Sequence, residues 1–202
     1  MMSRTALLAA AVAGILTFGS LAARADDISD GLAKAAELYA KGDLAGAQKE
    51  IAFANSAIAQ KLNEAYGGTF PEAPAGWTAD EVSAESLAMM GMGQTVSRTY
   101  TDTASGGTVK LSLVADSPML QSFGMLFANP MMAAQAGFQR VRIGGEEAMM
   151  QADKSSDTTQ IMITLAGRLL LQAEGSNGVP ADAVKALMSA WKIDQVKKLA
   201  GL

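Results

Sequence analysis

The chain has 202 residues, half of them hydrophobic, with 16 basic and 20 acidic residues and with neither histidine nor cysteine. These two absences exclude Ser-His-Asp and Cys-His catalysis, ordinary zinc sites and thiol redox chemistry. The negative net charge argues against a nucleic-acid partner and against general attraction to anionic lipid.

The first 25 residues have the parts of a secretory signal peptide. Arg4 gives a positive start, an apolar run extends from Ala6 to Phe18, and the small-residue site Ala23-Arg24-Ala25 follows. We expect cleavage after Ala25, and loss of the two arginines leaves 14 basic against 20 acidic residues, a net charge of −6. No later stretch reaches the roughly 20 apolar residues that a membrane helix needs. The mature chain is therefore predicted to be a soluble periplasmic protein.

Residues 26–66 predict an alanine-rich α-helical hairpin. Apolar residues recur at steps of three and four on both sides of Gly42-Asp43, which is the pattern of amphipathic helices. A connection this short makes the two helices antiparallel.

The second helix resembles the second half of a tetratricopeptide repeat. The resemblance rests on the spacing of Gly42, Leu44, Ala47, Ile51 and Ala54. The chain departs from that family at Gly31, where an aromatic residue is usual, and at Ala59, which replaces the closing proline. No second copy of the repeat follows, so we interpret the segment as a hairpin without a peptide-binding role. One helix pair cannot bury both of its faces, so it must pack on another surface.

Residues 67–79 are predicted to form a linker. They contain two glycines, two prolines and no periodicity, which is typical of a domain boundary. Phe70 and Trp77 are expected to anchor this linker to a surface, since isolated aromatic groups would otherwise stay in water.

Residues 80–202 predict the second domain, which begins with strands. Residues 95–102 alternate with period two, and residues 109–115 do the same after a turn. Ser117-Pro118 is a helix-start pattern. The helix should break at Asn129-Pro130 and stop at Gly137.

Three further strands and a closing helix complete this domain. Phe138–Ile143 and Glu147–Ala152 flank a Gly-Gly turn, and a hairpin turns at Gly167-Arg168. The last helix starts at Ala181 and carries apolar residues at helical spacing. The predicted fold is α+β: an antiparallel sheet with two packed helices, preceded by the N-terminal α-helical hairpin.

The order of these elements resembles the Mog1/PsbP-like group of small α+β domains. The resemblance covers roughly residues 70–200 and rests on "PAGW", "SRTY", "VKLSLVADSPM" and "VRIGGEEAMM" in that order. The group includes bacterial envelope proteins, and the resemblance implies a fold but no activity, because it includes no catalytic signature.

Three arginines are the candidate ligand-binding residues. Arg98 shares a strand face with Tyr100, and Arg140 and Arg142 share one face of a later strand. Together they could line a groove for an anionic ligand; the alternatives are structural ion pairs or a solvated arginine ladder. Glu146 and Glu147 point to opposite faces of a strand and are better explained as solvated charges than as a catalytic pair.

A cluster of methionines raises a metal hypothesis. Met89, Met90 and Met92 lie within four residues, and thioethers select Cu(I). The alternative is that they are flexible apolar side chains in a packed or adaptable contact surface.

The sequence favours a non-enzymatic exported protein that needs no cofactor and binds an envelope protein, a small ligand or a second copy of itself. Its alternatives are a Cu(I)-binding protein that uses Met90 and Met92, and a hydrolase with an unrecognised carboxylate or Ser-Lys site.

Overall fold

The computed structural model describes residues 27–86, 93–115, 117, 120–153 and 156–202. The helices are α1 Asp27–Ala40, α2 Leu44–Gly67, α3 Leu120–Ala128, α4 Pro130–Gln135, α5 Ala181–Ala190 and α6 Ile193–Leu199. The strands are β1 Trp77–Ala79, β2 Ser83–Ser86, β3 Gln94–Asp102, β4 Thr108–Ala115, β5 Gln139–Ile143, β6 Glu146–Asp153, β7 Thr158–Leu165 and β8 Leu169–Ser176. All strand pairs are antiparallel, so the predicted α+β class is confirmed.

The chain divides into two compact units, one ending at Ala54 and one running from Asn55 to Leu202. This division falls inside α2, whereas the sequence places its boundaries at residues 66 and 79. Those boundaries stay predictions.

The described part of the first unit is the helical hairpin. Gly42 has a positive φ of 78°, a conformation that glycine adopts without a Cβ clash, and the chain turns there. The Asp43 carboxylate accepts a hydrogen bond from the Gly46 amide at 2.9 Å and caps the start of α2. A Cβ added at Gly31 would lie 3.6 Å from the Cβ of Ala54, so α1 and α2 approach each other closely at this position. It is the position at which tetratricopeptide repeats usually have an aromatic residue. Within this unit the exposed large apolar residues are Leu32, Tyr39, Leu44, Ile51 and Phe53.

The second unit is built on one twisted sheet. The strand order is β1-β3-β4-β8-β7-β6-β5, and β2 pairs with β3 beside β1. Val96 pairs with Leu113, which pairs with Leu171, and Leu171 pairs with Ile163. These four side chains are fully buried and lie on one face, because side chains alternate along each strand. They form the centre of the main core.

Helices cover both faces of the sheet. Val184, Leu187 and Met188 of α5 pack on the main core with Trp191. On the opposite face, a smaller cluster joins Leu120 of α3 and Ala133 of α4 to Met149, Met162 and Leu170. Met162 thus lies on the face opposite to its neighbours Ile161 and Ile163.

The break between α3 and α4 lies where the sequence places it. Asn129 accepts hydrogen bonds from the amides of Met131 and Met132 at 3.1 and 3.2 Å, and Pro130 occupies the first position of α4. Gly137 follows the helix with a positive φ of 81°.

The segment that joins α2 to the sheet is held by buried contacts. Phe70 stacks on Trp191 with ring centroids 4.6 Å apart. The Trp191 indole N–H donates to the Thr69 hydroxyl at 2.9 Å, and that hydroxyl donates to the Tyr66 carbonyl at 2.6 Å. The predicted anchoring by Phe70 is confirmed, and the segment ends in a strand, β1, that the sequence pattern does not predict.

Candidate functional site

Arg98 and Tyr100 lie next to each other on β3, as the alternation predicts. The Arg98 guanidinium donates to the carbonyls of Asp80 and Pro71 at 2.9 and 3.2 Å, and it lies 5.6 Å from the centre of the Tyr100 ring. The Tyr100 hydroxyl donates to the same Pro71 carbonyl at 2.7 Å. Burial raises the pKa of Tyr100 to about 12, and the nearby Arg98 opposes that rise. These contacts attach residues 71–80 to the sheet.

Arg140 and Arg142 lie on β5, at the other end of the sheet. Arg140 forms a salt bridge with Glu147 at 2.9 Å and donates to the Phe127 carbonyl at 2.9 Å. Both arginines are exposed. Arg140 is therefore engaged in a surface ion pair, one of the structural alternatives that the sequence left open.

The structure does not bring the three arginines into one groove. Strands β4, β8, β7 and β6 separate Arg98 from β5, a distance of about 24 Å at the usual strand spacing. The paired registers align Arg98 with Gln139, the neighbour of Arg140, so Arg140 and Arg142 point to the opposite face of the sheet. Strand order and face, which are set by long-range pairing, therefore keep the three arginines apart, and anion binding by any one of them stays a prediction.

The adjacent carboxylates Glu146 and Glu147 contact different partners. Glu146 pairs with Lys197 of α6, and Glu147 pairs with Arg140. Hydrogen bonding to Glu146 raises the pKa of Lys197. The two carboxylates diverge, as alternation along a strand requires.

Met89, Met90 and Met92 lie outside the described residues, so the Cu(I) hypothesis stays a prediction. In the described ranges, no group of three or more acidic, histidine or cysteine residues is placed to hold a metal ion.

A groove of about 1130 Å³ lies between the C-terminal half of α2 and the strands β2 and β3. Its lining residues are Asn55, Ser56, Ala59, Gln60, Asn63, Glu64, Gly67, Gly68, Val82, Ala84 and Gln94. All of them belong to the second compact unit. A Cβ added at Gly67 would lie 3.0 Å from the Val82 side chain, so α2 and the segment before β2 are in close contact at that end of the groove.

Asn63 is the unusual residue in this lining. Its exposed fraction is 7%, and its Oδ1 atom accepts no hydrogen bond from any described residue. A buried acceptor without a donor costs about 1–3 kcal/mol, so such atoms are rare in folded proteins. Its burial also keeps this acceptor out of contact with solvent, so it lies beneath the surface of the groove.

The rest of the lining is polar but nearly uncharged. Asn55, Gln60 and Gln94 add three more carboxamides, and Glu64 is the one ionisable side chain in the set. Small residues, including Ala59 and Gly67, separate the polar groups along α2. This chemistry suits an uncharged ligand with both donors and acceptors.

Sequence reasoning missed this groove, although a signal was present. Ser56, Gln60, Asn63 and Gly67 recur at steps of three and four along α2. They form a polar and small stripe beside the apolar stripe on which the helix prediction rests. A stripe like this is usually solvated, and only the tertiary structure buries Asn63.

Comparison with known proteins does not assign the chain to a family. The chain matches no protein-family profile, and no curated protein matches it. An X-ray crystal structure of a protein from Chromobacterium violaceum covers 69% of this chain and 85% of its own, with 11% identity and a TM-score of 0.21. That score is too low to relate the two folds, so function has to be argued from the chain itself. Among the described helices, none is both long and apolar enough to cross a bilayer.

Proposed function

We propose that this chain is an exported binding protein that holds an envelope protein partner or a small ligand in the groove between α2 and β2. The observation that supports the proposal best is the groove of about 1130 Å³, whose described lining is polar but nearly uncharged. Its exposed carboxamides, such as Asn55 and Gln60, can both donate hydrogen bonds to a ligand and accept them.

The size of the groove favours a segment of a larger partner. Pockets for drug-sized ligands measure about 300–1,000 Å³. At about 1130 Å³ the groove lies above that range. A partner protein is therefore the preferred occupant, and a small ligand is the alternative.

The lining also favours binding over catalysis. A hydrolase needs a nucleophile with an adjacent base, or two carboxylates that converge on one bond. Among the described residues that line the groove, Glu64 is the one carboxylate and none is a lysine. Neither Arg98 nor Arg140 lines it, so no cation of the predicted set converges there with a carboxylate.

Export through the signal peptide is the second part of the proposal. It rests on the charge, length and small-residue site of residues 1–25. N-terminal sequencing of the protein recovered from a periplasmic fraction should give Asp26 as the first residue. A cytoplasmic protein that retains Met1 would contradict it.

Site-specific photocrosslinking tests the groove. A benzophenone amino acid placed at Ala59 should yield covalent adducts in cells, and the same residue at Ala186 should not. Ala186 is the matched control, because it is an exposed alanine on α5 that does not line the groove. Equal adducts at both positions, or none at Ala59, would count against the groove as the binding site.

A further inference from the structure

We infer that the chain forms a two-fold dimer through its N-terminal helical hairpin, with one face of the hairpin packed against the same face of a second copy. The inference goes beyond the proposed function, because it concerns the first compact unit and not the groove. Four observations carry it: an exposed apolar face, the absence of charge on that face, the spacing of its large residues and its area.

The hairpin has two different sides. On one side, a shallow cleft is lined by Asp27, Asp30 and Lys34 of α1 and by Glu50 and Phe53 of α2. At 3.6 residues per turn, the exposed residues that point away from this cleft form a second side. We call it the hairpin face, and it consists of Leu32, Ala36 and Tyr39 of α1 and Leu44, Gln48 and Ile51 of α2.

The hairpin face contains no charged residue. The charged residues of α1 pair with one another elsewhere, since Lys34 and Lys41 both contact Glu37, at 3.2 and 2.5 Å. In a two-fold contact the same patch meets itself, so charges on it would bring like charges together. Two hairpin faces meet without that repulsion. A foreign partner would find no charge here for electrostatic selection.

The spacing of the large residues fits a second helical hairpin. Leu32 and Tyr39 are seven residues apart on α1, and Leu44 and Ile51 are seven residues apart on α2. This is the repeat with which helices of bundles insert large side chains between those of a neighbour, and Ala36 leaves space between two of them. Two hairpins packed in this way form a four-helix bundle.

The area of the hairpin face is enough for a weak dimer. Leu32, Tyr39, Leu44 and Ile51 are 48, 70, 65 and 47% exposed. At about 200 Å² for a whole large apolar residue, these fractions leave about 450 Å² in water per copy. With Ala36 and Gln48, two faces that meet bury about 1,000 Å², which is the lower limit for a specific interface. We therefore expect a dissociation constant of about 1–100 μM.

Sedimentation equilibrium tests the dimer with the purified chain from Asp26 onward, which is the proposed exported form. Between about 1 and about 300 μM the mean mass should rise from that of one chain towards that of two. A single chain at every concentration would overturn the inference.

Two matched variants locate the interface. Leu44→Glu places two like charges in the contact and should weaken dimerisation at least about a hundredfold. Phe53→Glu makes the same chemical change at a residue that is 56% exposed on the cleft side of α2, and it should leave the dissociation constant unchanged. Thermal unfolding at low concentration checks that both variants are folded. Equal weakening by both, or none by Leu44→Glu, would overturn the inference.

Crosslinking gives a second measurement that needs no charged variant. A benzophenone amino acid replaces Tyr39, and unlabelled and isotope-labelled chains are mixed so that adducts between two copies are recognised by mass. The adducts should map to residues 27–54 of the second copy. Adducts that map to residues 55–202, or none between copies, would contradict face-to-face packing of the hairpins. Neither outcome bears on the groove, which the crosslinker at Ala59 tests separately.

Discussion

Replacing the buried Asn63 by leucine tests whether its unpaired acceptor lowers the stability of the fold. Asn63→Leu keeps the approximate size of the side chain and removes the Oδ1 atom that accepts no hydrogen bond from the described residues. We therefore expect a more stable protein.

The magnitude follows from two contributions. Asn63 is 7% exposed, so the acceptor is almost fully desolvated, and its removal should return about 1–3 kcal/mol. Leucine is also the better helix former, by about 0.5 kcal/mol in the interior of a helix such as α2. Part of this gain is lost to repacking, and we expect the free energy of unfolding to rise by about 2 kcal/mol. In a chain of this length that raises Tm by about 4–8 °C.

Urea denaturation and thermal unfolding of the wild type and two variants measure this effect. Asn55→Leu is the matched control, because Asn55 is an exposed carboxamide on the same helix and its replacement adds only the helix-propensity contribution. It should add about 0.5 kcal/mol. A loss of stability in Asn63→Leu, or equal gains in both variants, would mean that the Asn63 amide is satisfied in the folded protein, and the reasoning would fail.

Three further predictions concern the core. Thr69→Val should lower the free energy of unfolding by about 1–3 kcal/mol in urea denaturation, because it leaves the buried Trp191 N–H without its acceptor. An unchanged midpoint of the urea transition would contradict this prediction. Gly175→Ala should lower the free energy of unfolding by about 1–3 kcal/mol in the same measurement, because the new Cβ would lie 2.5 Å from the Val184 side chain. A variant as stable as the wild type would show that α5, which carries Val184, shifts freely. Burial raises the pKa of Tyr100 to about 12, so its protonated hydroxyl adds stability that is intact below pH 10 and falls as pH rises through 12. Tyr100→Phe should therefore flatten that part of an alkaline denaturation curve. If the curves of the variant and the wild type are parallel, the assignment is refuted.

Much of the fold could be predicted from local pattern. Period-two alternation and turn residues predicted the strands from β3 onward. Asn129-Pro130 predicted the boundary between α3 and α4, because capping and proline geometry act over a few residues. Strands β1 and β2 were missed, since each has at most four residues and is stabilised by pairing with β3 rather than by its own pattern. Short edge strands carry little sequence signal.

The candidate site was beyond the reach of such patterns. The arginines were correctly assigned to their strand faces, but their separation depends on the strand order, which places four strands between Arg98 and β5. The groove depends on a polar stripe of α2 that faces residues distant in sequence, such as Val82 and Gln94. Nothing near Asn63 in the sequence distinguishes it from a solvated helix residue.

The sequence by itself determined the α+β class and the lack of histidine and cysteine chemistry, because composition and periodicity are properties of the local chain. Only the tertiary structure decided which polar groups lose contact with water. That choice depends on long-range pairing and packing, and it buried the Asn63 acceptor without a donor among the described residues.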